Sequence, residues 1–429
     1  MKETVKKVIV AILIWEAKRA VRKFKPKIIA VTGSVGKTGT KDAVYTILSQ
    51  TEHARKSEKS FNSEIGVPLT VLGLPNAWSS TMGWIENIGE GFILPWRRSA
   101  YPDWLVLEIG VDRPGDIQRL SWLKPDVVIF TQFPDVPVHV EYFASPDEVR
   151  KEKCKLKDTL KPEGTLIINA DDSKMRSEEV REGQHKLSYG FSEHATVRGY
   201  DYTIMYEEGK PVGISFTAQF QEKKAQVTLE GVLGRHHVYP LLAALTVIIS
   251  EGKAFEKSAL DLSKHILAPG RMRLIQGMKG STIVDDTYNS SPVAVRAGLE
   301  ALTTLQVKGK KIVVLGDMLE LGDFSVQEHK TIGELVATEA DVFVAVGVRM
   351  LGAAELVQAT KARCTNVLAF KTSEEAIKTL QEIIGEGDVV FVKGSQGMRM
   401  ERIVENIMLE SHSAINLLVR QDSHWKNIK

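Results

Sequence analysis

The chain of 429 residues is long enough for about three domains, at roughly 150 residues each. Its residues are 43% hydrophobic and 26% charged, which is typical of globular proteins and excludes disordered and collagen-like chains. No apolar run reaches the ~18 residues of a membrane-spanning helix. The two cysteines, Cys154 and Cys364, match no zinc-finger spacing, so we expect no disulfide framework or structural zinc, as in a reducing cytoplasm.

The formal net charge of +2 is unevenly distributed along the chain. Residues 1–27 hold nine of the 56 basic residues and two of the 54 acidic ones, a balance of +7. The remaining 47 basic and 52 acidic residues give a balance of −5. Because nucleic-acid binding needs a basic surface on the folded body, the sequence excludes that function.

The basic start of the chain, residues 1–26, is predicted to be a helix. An apolar run, Val8–Trp15, precedes the basic stretch Glu16–Phe24, but no small-residue cleavage site of a signal peptide follows. Two interpretations stay open: the helix lies on an anionic membrane or binds a partner, or it packs on the body. We therefore expect a cytoplasmic protein, with the inner face of the membrane as an open alternative.

After this helix the pattern becomes a series of strands and helices. Lys27–Thr32 is an apolar run, Gly33–Thr38 a turn and Lys41–Gln50 a helical stretch. Three further apolar runs predict buried strands: Trp104–Glu108, Asp126–Thr131 and Thr165–Asn169. Continuous apolar strands that alternate with helices predict a mainly parallel sheet with both faces covered.

Residues 197–233 show a different period, because hydrophobic and polar residues alternate on both sides of a turn at Glu207–Lys210. This pattern predicts antiparallel hairpins. A break at Ile266–Gly270 precedes a second series, whose predicted strands are Ser281–Val284, Lys311–Leu315, Asp341–Val346, Asn366–Phe370 and Asp388–Val392. We therefore predict an N-terminal helix over 1–26, a central α/β domain over 27–267 and a second α/β domain over 268–429.

The strongest local motif is Gly33-Ser-Val-Gly36-Lys37-Thr38, placed between a predicted strand and a predicted helix. Such a loop presents backbone N–H groups and a helix N-terminus to phosphates. Lys37 would reach the β- and γ-phosphates, and the Thr38 hydroxyl would bind Mg²⁺. We find no guanine-reading Asn-Lys-x-Asp, so the motif indicates a nucleotide site without showing what the γ-phosphate is used for.

A series of segments resembles the Mur ligase family in its order along the chain. In the central domain these are Gly33–Thr38, Asn62–Pro68, Glu108–Gly115, His139–Phe143, Lys153, Asn169–Asp172 and Gly234–His237. In the second domain they are Pro269–Arg271, Asp285–Asn289 with Pro292, Leu315–Gly322 and Lys393–Ser395. Three of them (Asp285–Asn289, Leu315–Gly322 and Lys393–Ser395) are most similar to the branch that adds D-alanyl-D-alanine to a UDP-muramyl tripeptide.

The resemblance implies a P-loop-type central α/β domain, with a mainly parallel sheet and antiparallel hairpins, followed by a Rossmann-like α/β domain. It implies an ADP-forming ligase of peptidoglycan-precursor synthesis that joins a UDP-muramyl peptide-like carboxylate to an amino acid or dipeptide amine. ATP would convert the carboxylate into an acyl phosphate, which the amine then attacks. Because both reacting groups are anionic, metal ions and lysines would neutralise charge.

The resemblance also implies roles for single residues. Lys37, Glu108, His139 and Lys153 would form the catalytic set. Thr38, Glu108, His139 and Lys153 would hold two Mg²⁺ ions, with Lys153 carbamylated. The nucleotide would contact Gly33, Ser34, Val35, Gly36, Lys37, Thr38, Gly39, His237, Arg271, Asp286, Tyr288 and Asn289, and the substrates Asn62, Asp285, Lys393 and Ser395.

The chain departs from the family pattern in several places. The family usually places a domain that binds the UDP sugar before the phosphate loop, where only about 26 residues stand here, so we expect that domain to be lacking. His237 and Pro240 replace two asparagines. Val35 and Gly39 replace Asn and Thr in the loop, and Gln396 replaces an Arg. These departures leave the acceptor specificity open.

Other functions stay open at this point. A Mur-type ligase with another acceptor, or a relative that extends folates, shares the two-domain core. A lipid-II-amidating relative carries four zinc-binding cysteines, which two separated cysteines do not match. A nucleotide-binding scaffold of the cell-wall machinery would need no counterpart of Lys153.

Overall fold

The computed structural model describes residues 3–58, 61–78, 80–97, 100–135, 142–360, 362–422 and 425. Among these residues, no helix combines the length and the apolar character that crossing a membrane requires. The described strands form two sheets, one of nine and one of six strands.

The larger sheet has the strand order β2-β3-β1-β4-β5-β6-β7-β8-β9. Its strands are β1 (Lys27–Thr32), β2 (Ala54–Lys56), β3 (Trp104–Glu108), β4 (Val127–Phe130), β5 (Thr165–Asn169), β6 (His185–Gly190), β7 (Val197–Glu207), β8 (Lys210–Phe220) and β9 (Lys223–Glu230). The strands from β2 to β7 pair in parallel, whereas β7, β8 and β9 pair antiparallel. The predicted parallel sheet and the predicted hairpins therefore join in one continuous sheet.

Helices cover both faces of this sheet. They are α1 (Glu3–Phe24), α2 (Lys37–Leu48), α3 (Gly66–Leu72), α4 (Thr81–Ile93), α5 (Asp116–Leu120), α6 (Pro146–Cys154), α7 (Ser173–Arg176), α8 (Val238–Ser250) and α9 (Phe255–Leu262). Ile29 and Val31 of β1 join one buried cluster with α2 and α8, while Ile28 and Ala30 join a second cluster with α1 and α3. Both faces are buried, which explains why the strand reads as a continuous apolar run.

The smaller sheet has the order β10-β11-β15-β12-β13-β14, and only the β10–β11 pair is antiparallel. Its strands are β10 (Arg273–Gln276), β11 (Thr282–Asp286), β12 (Lys311–Gly316), β13 (Val342–Val346), β14 (Asn366–Phe370) and β15 (Val389–Lys393). The accompanying helices are α10 (Pro292–Thr303), α11 (Ser325–Glu339), α12 (Val348–Thr360), α13 (Ser373–Ile383), α14 (Glu401–Ile407) and α15 (Ala414–Leu417).

The predicted fold class is confirmed, and four of the predicted strands, β1, β3, β5 and β14, have the predicted ends. Three strands were missed: β2, β6 and β10 are short or polar, and no apolar run marks them. Helix α2 begins at Lys37 rather than at Lys41, because Gly36 takes a left-handed conformation (φ 88°) and ends the loop there. The bounds of the three predicted segments stay a prediction.

The predicted N-terminal helix is present as α1, which packs on the body along one face. Ile9, Leu13, Ala17 and Ala20 are buried in the cluster that also contains α3. Lys6 at its start lies 3.2 Å from the Glu64 carboxylate. The opposite face of α1 is exposed and is taken up below.

Candidate active site

The phosphate loop connects β1 to α2 at the carboxyl edge of the larger sheet. Gly33 has φ 143°, and a Cβ at this position would lie 2.0 Å from the Thr131 hydroxyl oxygen, so only glycine fits. The backbone N–H groups of Ser34 and Val35 donate to the carbonyl of Gln132 (2.9 and 3.3 Å). The segment that follows β4 therefore holds the loop in place.

Lys37 folds back over this loop. Its Nζ donates to the carbonyl oxygens of Gly33 (3.1 Å) and Ser34 (3.3 Å). Burial is the main cause of the lowered pKa of Lys37, and the nearby Glu108 carboxylate opposes this shift. The ammonium group thus lies beside the backbone N–H groups that would face a bound phosphate.

Glu108 lies at the centre of the polar contacts beside the loop. It ends β3, in register with Val31 of β1, which brings it next to the loop. The Thr38 hydroxyl donates to Glu108 Oε2 (2.9 Å), and Asn62 Nδ2 donates to Oε1 (3.5 Å). Lys41 Nζ lies 3.8 Å from Oε2. A hydroxyl and a carboxylate side by side form a set of oxygen donors that fits Mg²⁺.

The described residues do not include all the side chains that were predicted to bind Mg²⁺. No group of three or more His, Cys, Asp or Glu side chains in the described part of the chain could hold a metal ion. His139 lies outside the described residues. Thr38 and Glu108 are therefore the predicted ligands that the structure brings together directly.

Lys153, on α6, reaches the phosphate loop from the other side. Its Nζ donates to the Ser34 hydroxyl (3.1 Å), and its side chain is 2% exposed. Burial, and secondly the charge of Lys37, lower the pKa of Lys153 to about 7, while Asp112 opposes the shift. A large fraction of this amine is therefore neutral near pH 7, as a nucleophilic amine must be.

In the second half of the chain, Lys393 and Asp286 form a buried ion pair at the carboxyl ends of adjacent parallel strands. The two residues are register partners on β15 and β11, and Lys393 Nζ lies 2.6 Å from Asp286 Oδ2. Nζ also donates to the carbonyl of Asn289 (2.8 Å). Burial lowers the pKa of Lys393, and the Asp286 carboxylate opposes the shift.

Arg271 connects the two groups of site residues. Its guanidinium carbon lies 4.0 Å from the centre of the Tyr288 ring, a stacked cation–π geometry. Its positive charge adds to burial in lowering the pKa of both Lys37 and Lys393. Lys37 begins the helix that follows β1 of the larger sheet, whereas Lys393 ends β15 of the smaller sheet. Arg271 therefore marks the place where the two halves of the site face each other.

His237 and Gly39 lie where α8 meets α2. His237 is buried, and its Nε2 has no hydrogen-bond partner in the described part of the chain. Burial lowers the pKa of His237 well below its usual range, so the imidazole is neutral. A Cβ on Gly39 would lie 3.2 Å from the Pro240 ring, so two of the departures from the family pattern pack against each other.

Three predicted residues are engaged in contacts within the protein. Asp285 is fully buried and its Oδ1 accepts hydrogen bonds from the backbone N–H (3.1 Å) and the hydroxyl (2.6 Å) of Thr287. The Ser395 hydroxyl accepts from the backbone N–H of Leu319 (2.8 Å), and Asn289 Oδ1 from that of Gln396 (3.3 Å). These contacts order the loops at the strand ends.

The structure thus brings the predicted residues together in two groups. One lies around the phosphate loop and consists of Gly33, Ser34, Val35, Gly36, Lys37, Thr38, Gly39, Asn62, Glu108 and Lys153. The other lies at the carboxyl ends of β11 and β15 and consists of Asp285, Asp286, Tyr288, Asn289, Lys393 and Ser395. Arg271 and His237 lie between them.

Sequence reasoning missed three residues of the site. Lys41 follows Lys37 by four positions and so lies on the same helix face. This spacing could have predicted that Lys41 belongs to the site. Asp112 acts electrostatically on both Lys37 and Lys153. The Thr131 hydroxyl is buried against Gly33 with no hydrogen-bond partner in the described part of the chain, and nothing in its local sequence marks it.

Comparison with known proteins adds independent findings. The family model of the Mur ligase middle domain matches residues 31–248, about half of the chain. The model of the Mur ligase glutamate ligase domain matches residues 270–396.

Individual relatives match over most of their length. The UDP-N-acetylmuramoyl-tripeptide–D-alanyl-D-alanine ligase of Bacillus subtilis is 29% identical over 395 residues, covering 91% of this chain and 78% of its own. MurF ligase from Thermotoga maritima, solved in complex with ADP, superposes with a TM-score of 0.74 at 26% identity, covering 92% of this chain and 82% of its own. MurF from Acinetobacter baumannii gives 0.76 at 25% identity, covering 94% and 81%.

Proposed function

The chain belongs to the Mur ligase family, and from that premise we propose that it is an ATP-dependent, ADP-forming ligase of peptidoglycan-precursor synthesis. The bond would join D-alanyl-D-alanine to the carboxylate of a UDP-muramyl tripeptide, the reaction named for the Bacillus subtilis relative. The observation that carries the proposal is the convergence of Lys37, Thr38, Glu108 and Lys153 on one phosphate loop.

The chemistry requires two displacement steps. A carboxylate oxygen attacks the γ-phosphorus of ATP and the bond to ADP breaks, which gives an acyl phosphate. The amine nitrogen then attacks the acyl carbon, and inorganic phosphate leaves as the amide forms. Lys37 and the N-terminus of α2 would stabilise the transferring phosphoryl group, since both place positive charge at the loop.

Mg²⁺ would be held by the Thr38 hydroxyl and the Glu108 carboxylate, with His139 as a further proposed ligand. When bound, it would neutralise charge on the phosphate oxygens. The Thr38 hydroxyl and Asn62 Nδ2 both donate to the Glu108 carboxylate. These hydrogen bonds hold the Glu108 carboxylate in place at the end of β3.

We further propose that Lys153 is carbamylated. Its neutral Nζ would attack CO₂, forming an N–C bond and releasing the amine proton, and the product is an anionic carbamate. A pKa of about 7 supports this step, because a lysine with the ordinary value of 10.5 is almost wholly protonated at neutral pH. The carbamate could supply an oxygen ligand for a second Mg²⁺ beside Ser34.

The remaining assignments follow the placement of the residues. The loop residues Gly33, Ser34, Val35, Gly36 and Gly39 would contact the nucleotide phosphates. The rest of the nucleotide would meet a set of side chains from the second half and from α8: His237, Arg271, Asp286, Tyr288 and Asn289. Asn62, Asp285, Lys393 and Ser395 are retained as proposed substrate residues.

We also infer that the reaction takes place on the cytoplasmic side of the membrane, where ATP is found. Residues 1–26 would supply a contact outside the ligase core, with the membrane or with a protein partner. We retain 27–267 and 268–429 as the proposed bounds of the two domains.

The test is ADP release from the full chain with ATP, Mg²⁺, UDP-muramyl tripeptide and D-alanyl-D-alanine. We expect ADP only when both the carboxylate and the amine are present. Lys37→Ala should abolish turnover, and the matched variant Lys330→Ala, at an exposed position on α11, should keep it. Nucleotide binding without ADP release across a panel of carboxylates and amines would refute the ligase and favour a scaffold.

A further inference from the structure

The exposed face of α1 carries an apolar stripe. Val8 and Trp15, seven residues apart, are exposed on the side opposite the buried Leu13, and Val5 is exposed three residues before Val8. Trp15 is 50% exposed. A helix with one apolar face packed on the body and a second one facing outward has an unpartnered surface.

Helix α4 and the turn after it continue this stripe. Met82, Ile85, Phe92 and Trp96 are exposed, with Trp96 at 64%. The rings of Trp15 and Phe92 stack with centroids 6.3 Å apart, and the Phe92 and Trp96 centroids lie 5.4 Å apart. The two helices meet at this ring cluster, and the exposed apolar side chains of α1, α4 and Trp96 are here called the α1–α4 face.

The α1–α4 face is not a chance scatter of exposed side chains. Together with Ile93, it holds eight of the seventeen large hydrophobic side chains that are exposed in the described part of the chain. Single exposed apolar residues are common on proteins, whereas contiguous patches mark interaction surfaces.

Positive charge borders the α1 side of the α1–α4 face, whereas the α4 side carries the exposed Glu86 and the Glu90–Arg97 ion pair. Lys18 and Arg22 are exposed and follow Trp15 by three and seven residues, so they border the stripe. The Arg19 guanidinium lies 4.5 Å from the ring centres of both Trp15 and Trp96. Aromatic rings interleaved with arginine and lysine are the composition that binds at the headgroup level of an anionic bilayer.

The distribution of charge over the whole chain selects a membrane over a second copy of the chain. Residues 1–27 carry +7 and the rest −5, so pairing two copies of the chain through their α1 helices would bring like charges together. An anionic surface instead attracts this face and repels the rest of the molecule, which fixes the orientation. The Lys6–Glu64 ion pair holds the start of α1 against the segment that contains Asn62, since Glu64 follows Asn62 by two residues in the chain. Asn62 lies at the edge of the candidate active site.

We propose that the α1–α4 face docks on an anionic phospholipid surface, with Trp15, Phe92 and Trp96 at the headgroup level. The contact proposed above for residues 1–26 is thereby assigned to one partner, an anionic phospholipid surface. The contacting surface also includes α4. This contact does not rest on the ligase reaction. Docking would hold the edge of the active site beside the membrane surface.

The experiment is flotation of the full-length protein with vesicles of phosphatidylcholine alone and of phosphatidylcholine with phosphatidylglycerol. We expect flotation only with the anionic vesicles, and a loss of binding at high salt. The double variant Trp15→Ser/Trp96→Ser should reduce the bound fraction by about tenfold or more, since it removes two interfacial anchors. The matched control Leu260→Ser, at an exposed apolar position on α9, should bind like the wild type.

Two further measurements separate the alternatives. Circular dichroism should show that the double variant keeps its fold, and ADP release without vesicles should equal the wild-type rate, so a failed ligase and a failed membrane contact are told apart. Equal flotation of the wild type and the double variant would overturn the proposal. Absence of wild-type flotation with anionic vesicles would also overturn the proposal. Light scattering that shows a dimer formed through this face would do the same.

Discussion

Replacing Lys153 with methionine should abolish turnover and, at neutral pH, make the protein more stable. The side chain is 2% exposed, and its amine has the Ser34 hydroxyl as its hydrogen-bond partner (3.1 Å). Methionine has a similar length and no charge, so it fills the space without the cost of burying an amine.

The magnitude follows from the pKa of Lys153, which is about 7 in the folded protein against an ordinary value of 10.5. Between these two values the unfolded chain holds a proton that the folded protein has lost, so wild-type stability rises with pH across this window. The slope is ~1.4 kcal/mol per pH unit, and over the whole window it amounts to roughly 5 kcal/mol. Below about pH 7 both states are protonated and the penalty stays constant.

The measurement is urea denaturation of the wild type and Lys153→Met at several pH values from 7 to 9, in buffer freed of CO₂. The variant should be the more stable protein at pH 7, by a few kcal/mol. The wild type should then gain on it by ~1.4 kcal/mol for each pH unit. The control Lys155→Met, at an exposed lysine of the same segment, should show no such trend against the wild type.

A difference between the two proteins that stays constant from pH 7 to 9 would refute the reasoning, because Lys153 would then keep an ordinary pKa. In that case the neutral amine needed for carbamylation would be missing as well. Added bicarbonate gives an independent check. It should stabilise the wild type and leave Lys153→Met unchanged, since binding to the folded state alone raises stability.

Three further variants probe the rest of the site. Glu108→Gln removes the carboxylate that accepts from Thr38, and we expect kcat/KM for ATP to fall by roughly 10²-fold and the Mg²⁺ requirement to rise in ADP-release assays. Gly33→Ala places a Cβ 2.0 Å from the Thr131 hydroxyl at φ 143°, so calorimetry should show lost nucleotide affinity, with about 1–3 kcal/mol of added strain in urea denaturation. Asp286→Asn leaves the buried Lys393 ammonium without its counter-ion, and urea denaturation at pH 7 should show a loss of about 3–5 kcal/mol, whereas an unchanged midpoint would contradict a buried pair.

Much of the fold could be predicted from local sequence, because parallel strands buried on both faces appear as apolar runs. The order of strand, loop and helix after Lys27 was predicted, and the strand Lys27–Thr32 has the predicted ends. The helix begins at Lys37, four residues before its predicted start. Strands such as Ala54–Lys56 were missed, because a short polar strand at the edge of a sheet has no hydrophobic pattern of its own.

The site residues could be named from motifs, but motifs do not bring them together. Thr38 and Glu108 are 70 positions apart in the chain, and Lys153 and Ser34 are 119 apart. They meet because the strand order β3-β1-β4 sets the ends of distant segments side by side. That strand order cannot be predicted from the spacing of residues along the chain.

By itself the sequence determined the kind of protein: a two-sheet α/β chain with a phosphate loop, ligase-type motifs and a basic, apolar start. Only the tertiary structure decided the properties that depend on burial and on neighbours from distant segments. Lys153 has a lowered pKa because the fold buries it beside Lys37, and the sequence shows only a lysine in a charged helix. Likewise, Trp15 belongs to an outward-facing surface because α4 supplies Phe92 beside it, some 77 residues later in the chain.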